Sequence, residues 1–425
     1  MQLWSVTSKA LSRLWKRKHL PAILWNLHAT QLQYNRSGRV QKTIDPEFPR
    51  MAIQLDARQV HSMIARPPYS VQWLSPDREA EWDEFVGRHP LGLVYNLSCW
   101  KRTLENAFPH ISGRFLALRE NASGQIVAGL PVYRVRSWLL GNRVVSVPFA
   151  SFCNPLVSDD SQLSLLLPEV VEEYQRTRSD RLEIRITEAT RQMSHPLLSR
   201  AAHYKHHFLP LDKDPVELFA SLAKTSICQK VMKARKAGLA IEEVSDEKSL
   251  KVCHSILVKL RHRLCLPAIP YAFFEAMRRH LWPEHLKIFI ALQSGKPVAC
   301  HLVLKYKDLW TSEYSASTTD ALHGVNQLLY WETILRAMAA GAKVFSFGRT
   351  SVSNLGLLAY KRRWRTSEED LAEYVLLRTG AADRAPGGFA ELVGPQAREW
   401  FKTLLRYSPV AVNRIIGGYC YRHMG

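Results

Sequence analysis

No stretch of eighteen consecutive apolar residues occurs in the 425-residue chain, so a polytopic membrane protein is excluded. No Cys-x-x-Cys pair occurs either. The seven cysteines lie scattered at 99, 153, 228, 253, 265, 300 and 420, a pattern of free thiols in a reducing compartment rather than of a disulfide framework or a zinc ribbon. Acids are scarce: 38 Asp and Glu against 58 Lys and Arg leave a net charge of +20. Such an excess favours anionic partners, whether phosphate-bearing cofactors, nucleic acid or lipid headgroups. The shortage is sharpest at the start, where the first acid is Asp45. That region also lacks a continuous apolar core, which argues against a secretory signal. What is present is ordinary: 46% hydrophobic and 23% charged residues, enough to fill the cores of about two to four globular domains.

Periodicity divides the chain into two similar halves. In the first, helices are expected at 77–88 and 98–108, a hairpin at 114–134 turning at Ser123-Gly124, a strand from Arg143, a helix near 164–177 and a strand at 181–187. In the second, helices at 215–223, 226–237, 247–262 and 271–281 surround a strand at 239–244. A hairpin at 286–306 then turns at Ser294-Gly295, and a third strand, a helix at 325–340 and the strand KVFSFG follow. The two hairpins share their turn, SGQIVAG against SGKPVAC, which points to a duplication. The join is expected near 208–214, marked by Pro210, Asp212, Asp214 and Pro215. The expected division is a basic, disordered extension over 1–68, a first domain over 69–210, a second over 211–380 carrying the candidate site, and an amphipathic tail over 381–425.

Chemistry concentrates in 311–365. On a strand, Ser312 and Tyr314 share one face while Thr311, Glu313 and Ser315 share the other. Gly324 and Asn326 open the next helix, whose free N–H groups and dipole suit a pyrophosphate or carboxylate; the plain structural reading is an Asn cap. Gly348 ends a strand, Arg349 offers a planar fork for an oxyanion, and Lys361 and Arg362 add charge ahead of Trp364. Cys253, His254, His262 and Cys265 fall in one helical stretch without the second ligand pair of a zinc site. His203, His206 and His207 read as a solvated linker.

The segment GVNQLLYWETILRAMAAGAKVFSFGRTS, followed by YKRRW, resembles FemAB-like proteins of the GNAT acyltransferase superfamily, and within them the group accompanying exopolysaccharide and exosortase (PEP-CTERM) loci. Asn326, Leu328, Leu329, Tyr330, Trp331, Glu332, Gly348, Arg349, Lys361 and Trp364 fill the family's places, and WDEFVGRHP at 82–90 and KVMKARKAGL at 230–239 match earlier parts of its pattern. Two departures stand out: Ser346 replaces the family's Asp, and Arg365 replaces the Gly after the Trp. No coiled-coil arm of the peptidoglycan-bridge enzymes is visible.

The resemblance implies an α/β fold of tandem GNAT-like (acyl-CoA N-acyltransferase) domains with mixed central sheets. It implies direct transfer of an acyl or aminoacyl group from acyl-CoA or aminoacyl-tRNA to an amine or hydroxyl of a cell-envelope or exopolysaccharide precursor, with no metal and no covalent intermediate. Glu313 and Glu332 are then the candidate bases. Tyr314, Arg349, Lys361 and Trp364 are the candidate substrate contacts, and Gly324 and Asn326 the donor contacts. Nucleic acid is a partner only if the donor is aminoacyl-tRNA. The location implied is cytoplasmic, with peripheral contact at the inner membrane face if the acceptor is a lipid-linked glycan. A catalytically inactive GNAT-like binding or scaffolding module is the alternative. A basic nucleic-acid binder is a third reading, against which no recognised nucleic-acid motif is found. In the tail, Trp400, Phe401, Leu404 and Leu405 are expected on one apolar face, with five cations against the single acid Glu399 over 397–425, a composition suited to a lipid surface.

Overall fold

The computed structural model describes residues 68–187, 198–378 and 395–425 and two short antiparallel strands, Gln33–Tyr34 and Val40–Gln41. Apart from these two strands and Pro68, the expected disordered extension over 1–68 lies outside the described residues, as do the domain limits inside 379–394. The chain forms two compact units, 1–65 and 66–425. The second holds the main sheet and all the helices around it.

Its first half runs β1 (Tyr69–Trp73), α1 (Glu79–Arg88), α2 (Ser98–Ala107), β2 (Ile111–Glu120), β3 (Ile126–Val135), β4 (Arg143–Val145), α3 (Asp160–Arg176), β5 (Arg181–Thr187) and β6 (Ser199–Pro210). The second half runs α4 (Pro215–Ser221), α5 (Gln229–Lys236), β7 (Ala240–Val244), α6 (Glu247–Arg263), α7 (Tyr271–Leu281), β8 (Leu286–Gln293), β9 (Lys296–Tyr306), β10 (Leu309–Ser317), α8 (Val325–Ala339), β11 (Val344–Ser351), α9 (Leu355–Arg362) and β12 (Ser367–Leu377). Helices α10 (Pro395–Tyr407) and α11 (Val410–Tyr421) close the chain. Helix starts follow local chemistry. Asp159, Asp214 and Asp246 each accept from backbone N–H groups of the first turn of α3, α4 and α6, the usual use of Asp before a helix.

All twelve strands form one mixed sheet in the order β1-β2-β3-β4-β5-β12-β6-β11-β10-β9-β8-β7. The two hairpins, β2–β3 and β8–β9, hold the same places counted from either edge. In each half one parallel pair, β4 with β5 and β10 with β11, is joined through a helix, α3 or α8. The last strand of each half crosses over. β6 follows β5 in sequence but pairs with β11, and β12 follows β11 but pairs with β5. His206 and His207, expected in a solvated linker, therefore lie buried in a central strand, because strand exchange carries this stretch into the middle of the sheet.

Three apolar cores follow from this layering. One covers a common face of both halves and joins Trp82, Trp100 and Phe115 to Phe273, Phe274 and Leu302; Trp100 meets Phe273 edge-on at 6.2 Å. On the opposite face, α3 fills a core with Leu166 and Ile184. There α4, α5 and α8 fill another with Leu328, Phe345 and Trp364. Truncating any of the fully buried tryptophans costs about 3–5 kcal/mol.

In the tail, Leu405 is buried against the rest of the unit, whereas Trp400 and Leu404 are exposed.

Candidate active site

Strands β10 and β11 are paired only over Leu309–Thr311 and Val344–Ser346, although both run on to Ser317 and Ser351. Beyond that point they part, leaving a mouth at their C-terminal ends, where open α/β sheets place ligands. In the first half the corresponding gap is closed by its own chain: Ser146 and Cys153 donate backbone bonds to Glu183 and Arg185 of β5. The mouth of the second half receives Ser151 from that same loop, whose Oγ accepts from the Arg349 amide at 3.4 Å.

A bulge decides what points into the mouth. Leu302 faces Tyr314 but Val303 faces Ser312, so Glu313 is the extra residue in β10. This breaks the expected alternation, since a bulge resets which face each side chain takes. Ser312 turns toward α8, bonding His301 at 2.9 Å and the Tyr330 hydroxyl at 2.9 Å. Tyr314 turns the other way, against Phe274. Glu313 turns to the first half and accepts from the Tyr95 hydroxyl at 2.7 Å. Burial raises the Glu313 carboxyl to about 7, against the opposing pull of Tyr95 and Arg349.

Arg349 stands across the mouth. Its guanidinium lies 4.6 Å over the Tyr204 ring and 3.9 Å from Glu373. Gly348 turns the strand with φ of +68°, at a second bulge where Ser346 faces Phe208 and Arg349 faces His206. Lys361 holds this turn from inside. Its buried Nζ donates to the carbonyls of Gly348 at 3.0 Å and Arg349 at 3.2 Å, and burial lowers its ammonium to about 7. Trp364 is fully buried against Phe347. These two residues support the wall of the mouth from behind.

Ser346, in the place of the family's Asp, is not an isolated loss. Its Oγ lies 2.8 Å from His206 Nε2, and His206 Nδ1 lies 2.7 Å from Glu369 Oε1. The Ser346 Oγ also accepts from the Gly348 amide at 3.1 Å. A carboxylate is thus linked to this position through a histidine, across β11, β6 and β12. Sequence reasoning missed Tyr95, Ser151 and Glu369 and placed His206 in a linker; they come from a short 3-10 turn, a loop and two strands distant in the chain, and no local pattern marks them.

The other candidates lie at the start of α8, along it and on α6. Glu332 lies on α8 between Arg235 at 2.6 Å and Arg336 at 3.2 Å, an arrangement that ties α8 to α5. Gly324 has φ of +104°, and a Cβ there would meet the Lys230 carbonyl at 2.5 Å, so glycine lets α5 approach the start of α8. Asn326 Nδ2 donates to Ser317 Oγ at 3.1 Å, while its Oδ1 is buried without a hydrogen-bond partner among the described residues. His254 and His262 each bond a backbone carbonyl, of Ile269 and Ser408. Among the described residues no three His, Cys, Asp or Glu side chains are grouped to hold a metal ion.

Residues 224–362 match the family model of an acetyltransferase (GNAT) domain. The chain carries a GNAT acyltransferase domain. The parted strands β10 and β11, with α8 between them, lie inside the matched span, so the mouth belongs to the GNAT domain. Most of the chain has the fold of FemX: the crystal structure of FemX superposes with a TM-score of 0.58 at 14% identity, over 74% of this chain and 98% of that chain. A conserved protein of unknown function from Bacteroides thetaiotaomicron superposes with a TM-score of 0.50 at 8% identity, over 72% and 99%. A tandem GNAT protein from the clavulanic acid biosynthesis pathway gives 0.47 at 11% identity, over 75% and 100%. No curated protein matches the sequence. The GNAT domain does not form its mouth alone, since Tyr95 and Ser151 come from the first half.

Proposed function

We propose that the protein transfers an acyl or aminoacyl group directly from acyl-CoA or aminoacyl-tRNA to an amine or hydroxyl of a cell-envelope or exopolysaccharide precursor. The observation that carries this reading is Glu313, a carboxyl raised to about 7 in the mouth between parted strands. A group with that value is half ionised near neutral pH and takes a proton efficiently from an attacking amine or hydroxyl. Arg349 supplies a fixed cation across the mouth, suited to a carboxylate or phosphate of either substrate. Both donors are polyanions. Helix α5, which meets the start of α8 at Lys230, carries the exposed cation Lys233, which favours such a donor there. The order of events is donor binding, attack of the acceptor on the acyl carbonyl as Glu313 removes its proton, and departure of the thiol or the tRNA hydroxyl. The place of action is the cytoplasm, at the inner membrane face where the acceptor is lipid-linked, within the exopolysaccharide setting that the sequence resemblance implies.

The test is turnover with acetyl-CoA and with aminoacyl-tRNA against amine-bearing and hydroxyl-bearing glycan precursors, followed by mass spectrometry. Glu313→Gln should lower kcat by roughly 10²–10⁴-fold. The wild-type kcat should fall as pH drops below about 7, because Glu313 is then protonated; a flat acid limb would remove it as the base. Ser346 in place of Asp favours one alternative, a GNAT-like module that binds without turnover. In that case both donors bind and no product mass appears with any acceptor.

A further inference from the structure

Helices α10 and α11 present two unlike faces. The inner face is fully engaged. Asn413 bonds Ala268 and Leu266 at 2.7 and 3.2 Å. Gly417 sits where a Cβ would press on the Ala268 backbone, and Tyr421 stacks on Phe149 at 5.6 Å. The chain end is anchored on the first half, where Arg143 donates to the His423 carbonyl at 2.8 Å.

The outer face carries large apolar groups without cover among the described residues. Trp400 is 67% exposed, Tyr407 79% and Ile415 73%. They follow helical spacing, Trp400, Leu404 and Tyr407 on α10, then Val412, Ile415 and Tyr419 on α11. Beside the end of α11 the β3–β4 loop adds Trp138, 79% exposed, whose ring meets His423 at 5.2 Å. Soluble surfaces do not usually string tryptophan, tyrosine and isoleucine along one stripe.

Charge frames this stripe at both ends of α11. Near Val410 a cleft of about 760 Å³ is lined by Lys259, Arg263 and Lys296, with Asp320 as its acid. Near Tyr419 a cleft of about 640 Å³ is lined by Arg136, Arg422 and Trp138. Arg414 lies between them on α11, Lys402 and Arg406 lie on α10, and Glu399 is paired with Lys402 at 2.6 Å. An apolar stripe rich in Trp and Tyr, edged by Arg and Lys, matches the boundary layer of an anionic bilayer, where rings sit among headgroups and cations meet phosphates. No helix among the described residues is long and apolar enough to cross a membrane, so the contact is one of lying on the surface.

We propose that the outer face of α10 and α11, with the Trp138 loop, docks this protein on an anionic lipid surface, the two basic clefts receiving lipid phosphates. It deepens the reading of a lipid-linked acceptor and rests on it for its purpose, though not for its measurement.

The experiment is sedimentation of the full-length protein with phosphatidylcholine vesicles, with and without a third of phosphatidylglycerol. Retention is expected on the anionic vesicles, weak retention on the neutral ones, and release by high salt. Replacing Trp138, Trp400, Tyr407 and Ile415 together by Ser should lower retention by about tenfold or more, with an unchanged circular dichroism spectrum. Should that variant unfold, the exposed charge reversals Arg406→Glu and Arg414→Glu decide instead; each should cost about fivefold in vesicle affinity. Glu313→Gln should sediment as wild type, so failure of the transferase reading leaves this result standing. No retention on anionic vesicles, or equal retention on both kinds, overturns the proposal. So does a dimer by light scattering that the four-serine variant dissolves while vesicles bind nothing, which would make the stripe a self-interface.

Discussion

Arg365 occupies the position that the FemAB-like pattern fills with glycine, and its φ is +58°. An L-residue with a side chain is disfavoured there by about 1 kcal/mol. The side chain recovers part of this through the bond from Nε to the Ser221 carbonyl at 3.2 Å. Arg365→Gly should therefore leave turnover unchanged and raise stability by up to about 1 kcal/mol, measured by urea unfolding. A clear destabilisation would show that the Ser221 bond outweighs the backbone. Arg349 poses a different question at the same scale. Its plane stacks on Tyr204 at 4.6 Å, an arrangement that an ammonium on a flexible stem does not reproduce. Arg349→Lys should raise KM by about tenfold with the fold intact, checked by steady-state kinetics beside a thermal melt. Unchanged kinetics would take Arg349 out of the site.

At the scale of elements, the start of α8 shows how a glycine with an apparent ligand role does packing work. Gly324 has a left-handed φ, and the Lys230 carbonyl stands 2.5 Å from where a Cβ would be. Gly324→Ala should destabilise by about 1–3 kcal/mol through strain and displacement of α5, read as a lower urea midpoint. A neutral result would mean that α5 shifts freely. The two bulges are the other element-scale devices. One turns Glu313 toward Tyr95, the other sets Arg349 across from it, and both lie where β10 and β11 have already parted. The Lys361 amine and the Ser346–His206–Glu369 chain hold the second bulge from two sides.

At the scale of the molecule, strand exchange makes the halves interdependent. β6 and β12 each complete the sheet of the other half, and one core spans both. Residues 66–425 should therefore unfold in a single calorimetric transition. Residues 69–210 or 211–380 expressed alone should not yield a folded monomer, as judged by amide dispersion in a proton NMR spectrum. Two separate transitions, or a folded half, would show that the exchanged strands contribute little.

Much of this was legible in the order of residues. The two hairpins, helices α6, α7 and α8 and the strand–glycine–arginine end of β11 stand in helical or alternating periods, which depend on neighbours a few positions away. The glycine turns were readable for the same reason. Tertiary structure alone decided the rest. Whether Glu313 or Glu332 is a free carboxyl depends on Tyr95 and on Arg235, which reach them through space. His206, read as a linker residue, became a buried bridge because its strand crosses to the other half. The facing of Ser312 and Tyr314 rests on an extra residue in a ladder, a matter of pairing with β9 that no period within β10 reveals. Local sequence determines elements through short-range sterics and burial period. The site is determined by contacts between elements, whose geometry exists only once the sheet has closed.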